Sequence, residues 1–148
     1  MKIFITLIFS VMLVSCPQNQ KESFTTISKA SLFGAGEEGF KKENIIISSN
    51  KEWNSFLLKL DSTNKISDKF QSTIDFTKEM VVVAVDDVKN SGGFAIEIVD
   101  AEVNKENILL TIKTTGPKAT DMVAAVMLQP YHIIKINKTD KKIKFLEL

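Results

Sequence analysis

The sequence predicts an α+β, β-rich domain: an antiparallel β-sandwich or partly closed barrel with one amphipathic helix. Three observations carry that expectation. Residues 80–85 (Met-Val-Val-Val-Ala-Val) are apolar at every position and mostly β-branched, the pattern of a strand covered on both faces. Residues 93–99 and 107–115 alternate, placing Phe94, Ile96 and Ile98, then Ile108, Leu110 and Ile112, on one face each. Only one segment has helical spacing. Trp53, Phe56, Leu57 and Leu60 stand at i, i+3, i+4 and i+7, and Ser49 with Glu52 forms a capping box ahead of them.

The remaining elements follow in chain order. Residues 24–28 (Phe-Thr-Thr-Ile-Ser) alternate and are rich in strand formers. Half of the six glycines fall within residues 34–39, which marks a loop, and residues 44–48 (Asn-Ile-Ile-Ile-Ser) read as a short buried strand. Residues 61–64 (Asp-Ser-Thr-Asn) end the helix. The two alternating runs form a hairpin across the polar residues 104–107. Residues 122–128 read as a further strand, although their Val-Ala-Ala-Val-Met core lacks a clear period and leaves helix as the alternative. Residues 131–136 and 143–148 supply the last two strands, joined at 138–141.

Length and composition narrow the function. The 148 residues suffice for one domain and a short appendage. All nineteen basic residues are lysine, opposed by eighteen acids. Nucleic-acid recognition leans on basic stripes and on arginine's planar fork, so a balanced, arginine-free chain argues against it. One cysteine forms no internal disulfide and no thiolate zinc cage, and one histidine excludes paired-histidine metal motifs. No metal or cofactor is expected.

The first residues read as an address. Lys2 precedes a run from residue 3 to 14 whose only polar members are Thr6 and Ser10. Twelve residues suit a signal peptide and fall short of the roughly 20 that a spanning helix needs. The run closes in Leu13-Val14-Ser15-Cys16, which resembles the bacterial lipobox. That resemblance implies cleavage before Cys16 and acylation of its sulfur and new amino terminus. The expected organisation is a signal peptide over 1–15, a polar tether over 16–23 and a single domain over 24–148. Cleavage removes one lysine, leaving charge balanced, so acylation alone would hold the protein to lipid. The expected location is the bacterial cell envelope, at the outer membrane or cell surface.

Several segments, read in order, resemble the PrcB family. They are the helix with Trp53 and Phe56, residues 74–80 (Ile-Asp-Phe-Thr-Lys-Glu-Met) leading into the valine strand, Ser91-Gly92-Gly93-Phe94 before an alternating strand, Pro117, and residues 130–136 opening Pro130-Tyr131. The resemblance spans about residues 50–137 and rests on order and spacing. It departs at Asn90, where the family has proline, and at Phe94, where it has tyrosine. The family is known from the accessory lipoprotein of a spirochaete subtilisin-like protease complex. The resemblance therefore implies a non-catalytic lipoprotein that binds or stabilises an envelope protease or another envelope protein. The alternatives are a structural envelope lipoprotein with no protease connection, and a protease-inhibitor-like binding domain.

Catalytic constellations are thin. His132 is the only histidine and lies in an alternating strand with no nucleophile elbow nearby, so it reads as structural. Asp86 and Asp87 end the valine strand, and Asp121 follows a loop. Adjacent strand residues point to opposite faces, so the pair reads as strand termination. No catalytic residue is assigned. The expected partner-binding set is Ser91, Gly92, Gly93, Phe94, Pro117, Lys118, Pro130 and Tyr131, a recognition end built from glycine and proline loops. Cys16→Ala is expected to abolish palmitate labelling and to yield soluble protein or unprocessed precursor. Unchanged labelling would refute the assignment.

Overall fold

The valine run occupies the middle of three layers. The computed structural model describes residues 20–148, so the leader over 1–15 and Cys16 lie outside the described residues. The described chain forms β1 (Gln20–Lys21), β2 (Thr25–Phe33), β3 (Glu43–Ile47), α1 (Asn50–Leu60), a 3-10 turn at Ser67–Lys69, β4 (Glu79–Val85), β5 (Ala95–Val103), β6 (Asn107–Thr115), β7 (Leu128–Asn137) and β8 (Lys142–Glu147). Two four-stranded sheets result, ordered β1-β5-β6-β8 and β2-β7-β4-β3. This is the sandwich of the two expected architectures; neither sheet closes into a barrel.

Alternation along β4 explains the layering. Met80, Val82 and Ala84 pack with Ile134 and Ile136 of β7 against Ile96, Ile98, Leu110 and Ile112 of the facing sheet. Val81, Val83 and Val85 point the other way, onto Phe56 and Leu60 of α1 and onto Phe40 and Phe76 of the loops. The helix forms as its sequence requires. Ser49 is extended (φ −144°, ψ 154°) and its side chain accepts from the Glu52 N–H, while Glu52 reaches back to the Ser48 N–H at 2.8 Å. Trp53 stacks on Phe56 with ring centroids 5.6 Å apart, and Phe56 in turn meets Phe40.

Four details differ from the sequence reading. Residues 122–127 form no strand; they run without helix, turn or bend and stay largely exposed, with Met122 fully so. The reason lies next door, because β2 ends at Phe33 opposite Leu128 and the glycine loop carries it away. β2 itself runs nine residues, past the five expected. A bulge between Thr26 and Ser28 shifts its register and breaks the alternation. Not every pairing is antiparallel, since β8 lies parallel to β6. β7 already has β2 and β4 on its two edges, so the chain leaving Asn137 crosses to the other sheet. Finally, the end of the polar tether is an edge strand. Gln20 and Lys21 pair with Val103 and Glu102, and the Glu22 N–H donates to Ala101 O at 2.8 Å.

Phe56→Ala should cost about 3–5 kcal/mol, through lost burial and a cavity beneath α1. Leu58→Ala, on the exposed face of the same helix, should stay within about 0.5 kcal/mol of wild type. Denaturant unfolding of both variants checks the pair. Equal losses would mean that the buried face does not hold the helix.

Candidate functional site

Three connections meet at one end of the sandwich. The turn at residues 90–93 leads into β5, and residues 116–121 leave β6 toward the extended stretch before β7. Gly93 takes φ +87°, a left-handed conformation that favours glycine, and a Cβ there would sit 3.3 Å from Pro117 Cβ and 3.5 Å from Val123 Cγ1. The Gly92 N–H donates to Ala124 O at 2.9 Å. Phe94 lies over Gly116 so closely that a Cβ on Gly116 would come 2.6 Å from its ring. Lys118 is exposed, and its backbone N–H donates to Asp121 Oδ2 at 2.8 Å. Ser91 is half-buried. The structure thus brings Ser91, Gly92, Gly93, Phe94, Pro117 and Lys118 together.

Pro130 and Tyr131 are not part of this end. Both are buried in β7, so the expectation that they present a recognition surface is corrected. Tyr131 is 3% exposed and shares a 3.0 Å hydrogen bond with Ser28 across the β2 edge. Pro130 lies opposite Asp86, whose N–H donates to Pro130 O at 3.0 Å. A residue other than proline would return that bond to Asp86 O; instead the Gln129 side chain donates there, at 2.9 Å, and also to Phe40 O. A proline is therefore accommodated inside a central strand because its neighbour supplies the missing donor.

Sequence reasoning missed Phe33, Met122, Val123 and Met127. All four are exposed apolar side chains around this end, where the Gly34 N–H donates to Met127 O at 3.0 Å. The signal was present in part, as an apolar run with no period. Its exposure became visible only with the end of β2.

His132 is buried and bridges the two sheets. The Ile98 backbone N–H can only donate, so it fixes Nδ1 as an acceptor at 2.9 Å. The ring proton then sits on Nε2, which donates to Thr26 Oγ1 at 3.0 Å. A base toward Thr26 would need the opposite arrangement, so this hydroxyl–imidazole pair is not a poised nucleophile. Burial pushes the imidazole down to about 4, against a smaller upward pull from Glu97. The aspartates are dispersed as well. Asp86 is buried and held by Lys89 Nζ at 2.9 Å, whereas Asp87 and Asp121 are exposed. Among the described residues no group of three or more acidic, histidine or cysteine side chains is placed to hold a metal.

These features define a β-sandwich with a loop-built, partly apolar end and a helix-covered back. A family model described as PrcB C-terminal matches residues 80–137, the stretch from β4 through β7, so this part of the chain is PrcB-like. The helix and residues 74–79, which contributed to the resemblance in the sequence, lie outside that match, as does β8. No curated protein and no solved structure matches the chain.

The depressed His132 has a consequence for acid stability. The unfolded chain takes up this proton near the ordinary value of 6.5 and the folded one only near 4. Its contribution is complete above pH 6.5 and is lost as pH falls toward 4, by an amount on the order of 3 kcal/mol. Denaturant unfolding at pH 7 and pH 5.5 should show the first part of that loss in wild type. A His132→Gln variant should be weaker at pH 7 but flat across that window, which lies above most carboxylate titration. An equally steep decline in the variant would assign the effect elsewhere.

Proposed function

We propose that this protein is a membrane-anchored, non-catalytic lipoprotein that binds and stabilises an envelope protease through the end built by residues 91–94, 116–118 and 122–127. The observation that carries the reading is the convergence of these loops into one exposed, apolar and internally braced surface, on the segment that matches the PrcB C-terminal model. An accessory role in a protease complex is what that match points to. Braced glycine and proline connections lose little conformational freedom on docking, which favours shape recognition over induced ordering. The absence of charge at the apolar stretch fits a contact that depends mildly on salt. Anchoring through acylated Cys16 would confine the encounter to the membrane surface.

The test uses the full-length protein extracted from envelopes in mild detergent. Wild type should co-purify a protease of the envelope. Met122→Glu changes a side chain with no packing to lose, so it should leave the unfolding midpoint unchanged while lowering protease recovery about tenfold, the weight of one desolvated charge. Recovery of no protease by wild type would favour the structural-lipoprotein reading and refute this one.

A further inference from the structure

Residues 122–126 run without helix, turn or bend, yet they are paired on one side only. Gly92 occupies that side, through its N–H to Ala124 O, and the ladder continues between Lys89 and Leu128, which exchange hydrogen bonds of 2.7 and 3.0 Å. Backbone groups of one residue in an extended segment point the same way, and neighbours point oppositely. Ala124, Val126 and Leu128 therefore face the 89–92 stretch, and Val123, Ala125 and Met127 face away from it. On that second side Met127 O receives the Gly34 N–H, and there the neighbouring strand stops, because β2 turns off into the glycine loop. Among the described residues, nothing bonds the backbone N–H or C=O of Val123 or Ala125. Among the described residues, no strand continues the line of β2 beside residues 123–126, which leaves a lane there.

We propose that this lane is filled by an extended segment of the protease partner, which pairs with Val123 and Ala125 and completes the strand. The inference rests on the proposed function and specifies its docking mode. Strand addition explains what a side-chain patch does not: an unbent segment whose free backbone groups lie in line with an existing sheet. The occupant is an extended stretch with apolar side chains, since Met122, Val123 and Met127 of this uncharged segment are exposed, as is Phe33, whose neighbour Gly34 bonds Met127. Docking adds a strand to the sheet that holds β7, so the partner is coupled directly to the core.

Proline substitution separates backbone pairing from side-chain contact. Val123→Pro and Ala125→Pro each remove an N–H that bonds nothing in the described chain, in an unbent segment that tolerates the proline φ. Both should melt as wild type does. Each should lower recovery of the co-purifying protease about tenfold, the cost of leaving a partner's backbone group unpaired. Val123→Ala, which keeps the N–H and only shortens the side chain, should recover clearly more than Val123→Pro. Amide exchange at Val123 and Ala125 should be fast in the free protein and protected in the complex. Proline variants that recover the protease fully overturn strand addition and leave the proposed function standing. Self-association that the prolines abolish, read by light scattering, would replace the protease segment with a second copy and overturn the inference. If wild type recovers no protease, the proposed function falls and this inference falls with it.

Discussion

β7 is the strand on which the other elements depend. It is paired along both edges, with β2 and β4, and covered on both faces, by the facing sheet and by α1 with its loops. Such a strand is expected to be wholly apolar, yet β7 opens Leu128-Gln129-Pro130-Tyr131-His132. Burying polar groups is costly unless each is hydrogen-bonded, so every one of these side chains dictates where a neighbour must lie. Gln129 fixes the end of β4 and the Phe40 loop through Asp86 O and Phe40 O. Tyr131 ties β2 through Ser28. His132 reaches across the sandwich to β5 through the Ile98 N–H. A slip by one residue would exchange the two faces of β7 and leave these groups unpaired.

The same bonds position the loop end. Asp86, set by its pairing with Pro130, holds Lys89, whose ammonium lies 5.5 Å from the centre of the Phe94 ring. Phe94 rests on Gly116, and Gly93 on Pro117 and Val123. The end is therefore linked to the core through Asp86, and the contacts at Gly93 and Gly116 have a size limit that glycine meets. Such a surface gains definition from the core beneath it without being part of the core.

What could be read in the sequence divides by range of interaction. The capping box of Ser49 and Glu52, the helical stripe, the two-faced β4 and the hairpin closed by Asn104 are written in local spacing, and each formed where expected. The Asn104 side chain accepts from the N–H groups of Glu106 and Asn107, a turn that four consecutive residues suffice to specify. The parallel placement of β8 was not legible, because it follows from both edges of β7 being occupied rather than from any property of residues 142–147. The burial of Pro130 and Tyr131 was hidden for a similar reason. A proline beside a tyrosine reads as a surface connection unless the Gln129 amide is known to take the proline's role. The expected acylation site at Cys16 stands apart, since its pattern would be read by a processing enzyme and not by the fold.

The misread stretch over 122–127 shows what strand propensity measures. Valine favours extended backbone whereas alanine and methionine favour helix, and an extended segment becomes a strand only when something lies beside it. The other sheet margins are managed in ways that discourage unplanned pairing. β3 is five residues long and preceded by Lys41 and Lys42. β8 carries Lys142, Lys144 and Glu147, and the Phe33 backbone at the end of β2 is met on both groups by the Asn64 amide at 3.0 Å. Short length, charge and side-chain capping are common means of protecting an edge. Residues 122–126 have neither charge nor side-chain capping, and only their shortness limits self-pairing, because a ladder of so few bonds is marginal in water on its own. Lasting occupancy there requires a partner that also covers the apolar side chains around it. Under the proposed docking, selectivity would reside in the combination of a free backbone and the neighbouring Phe33, Met122 and Met127, neither of which would hold a second chain alone.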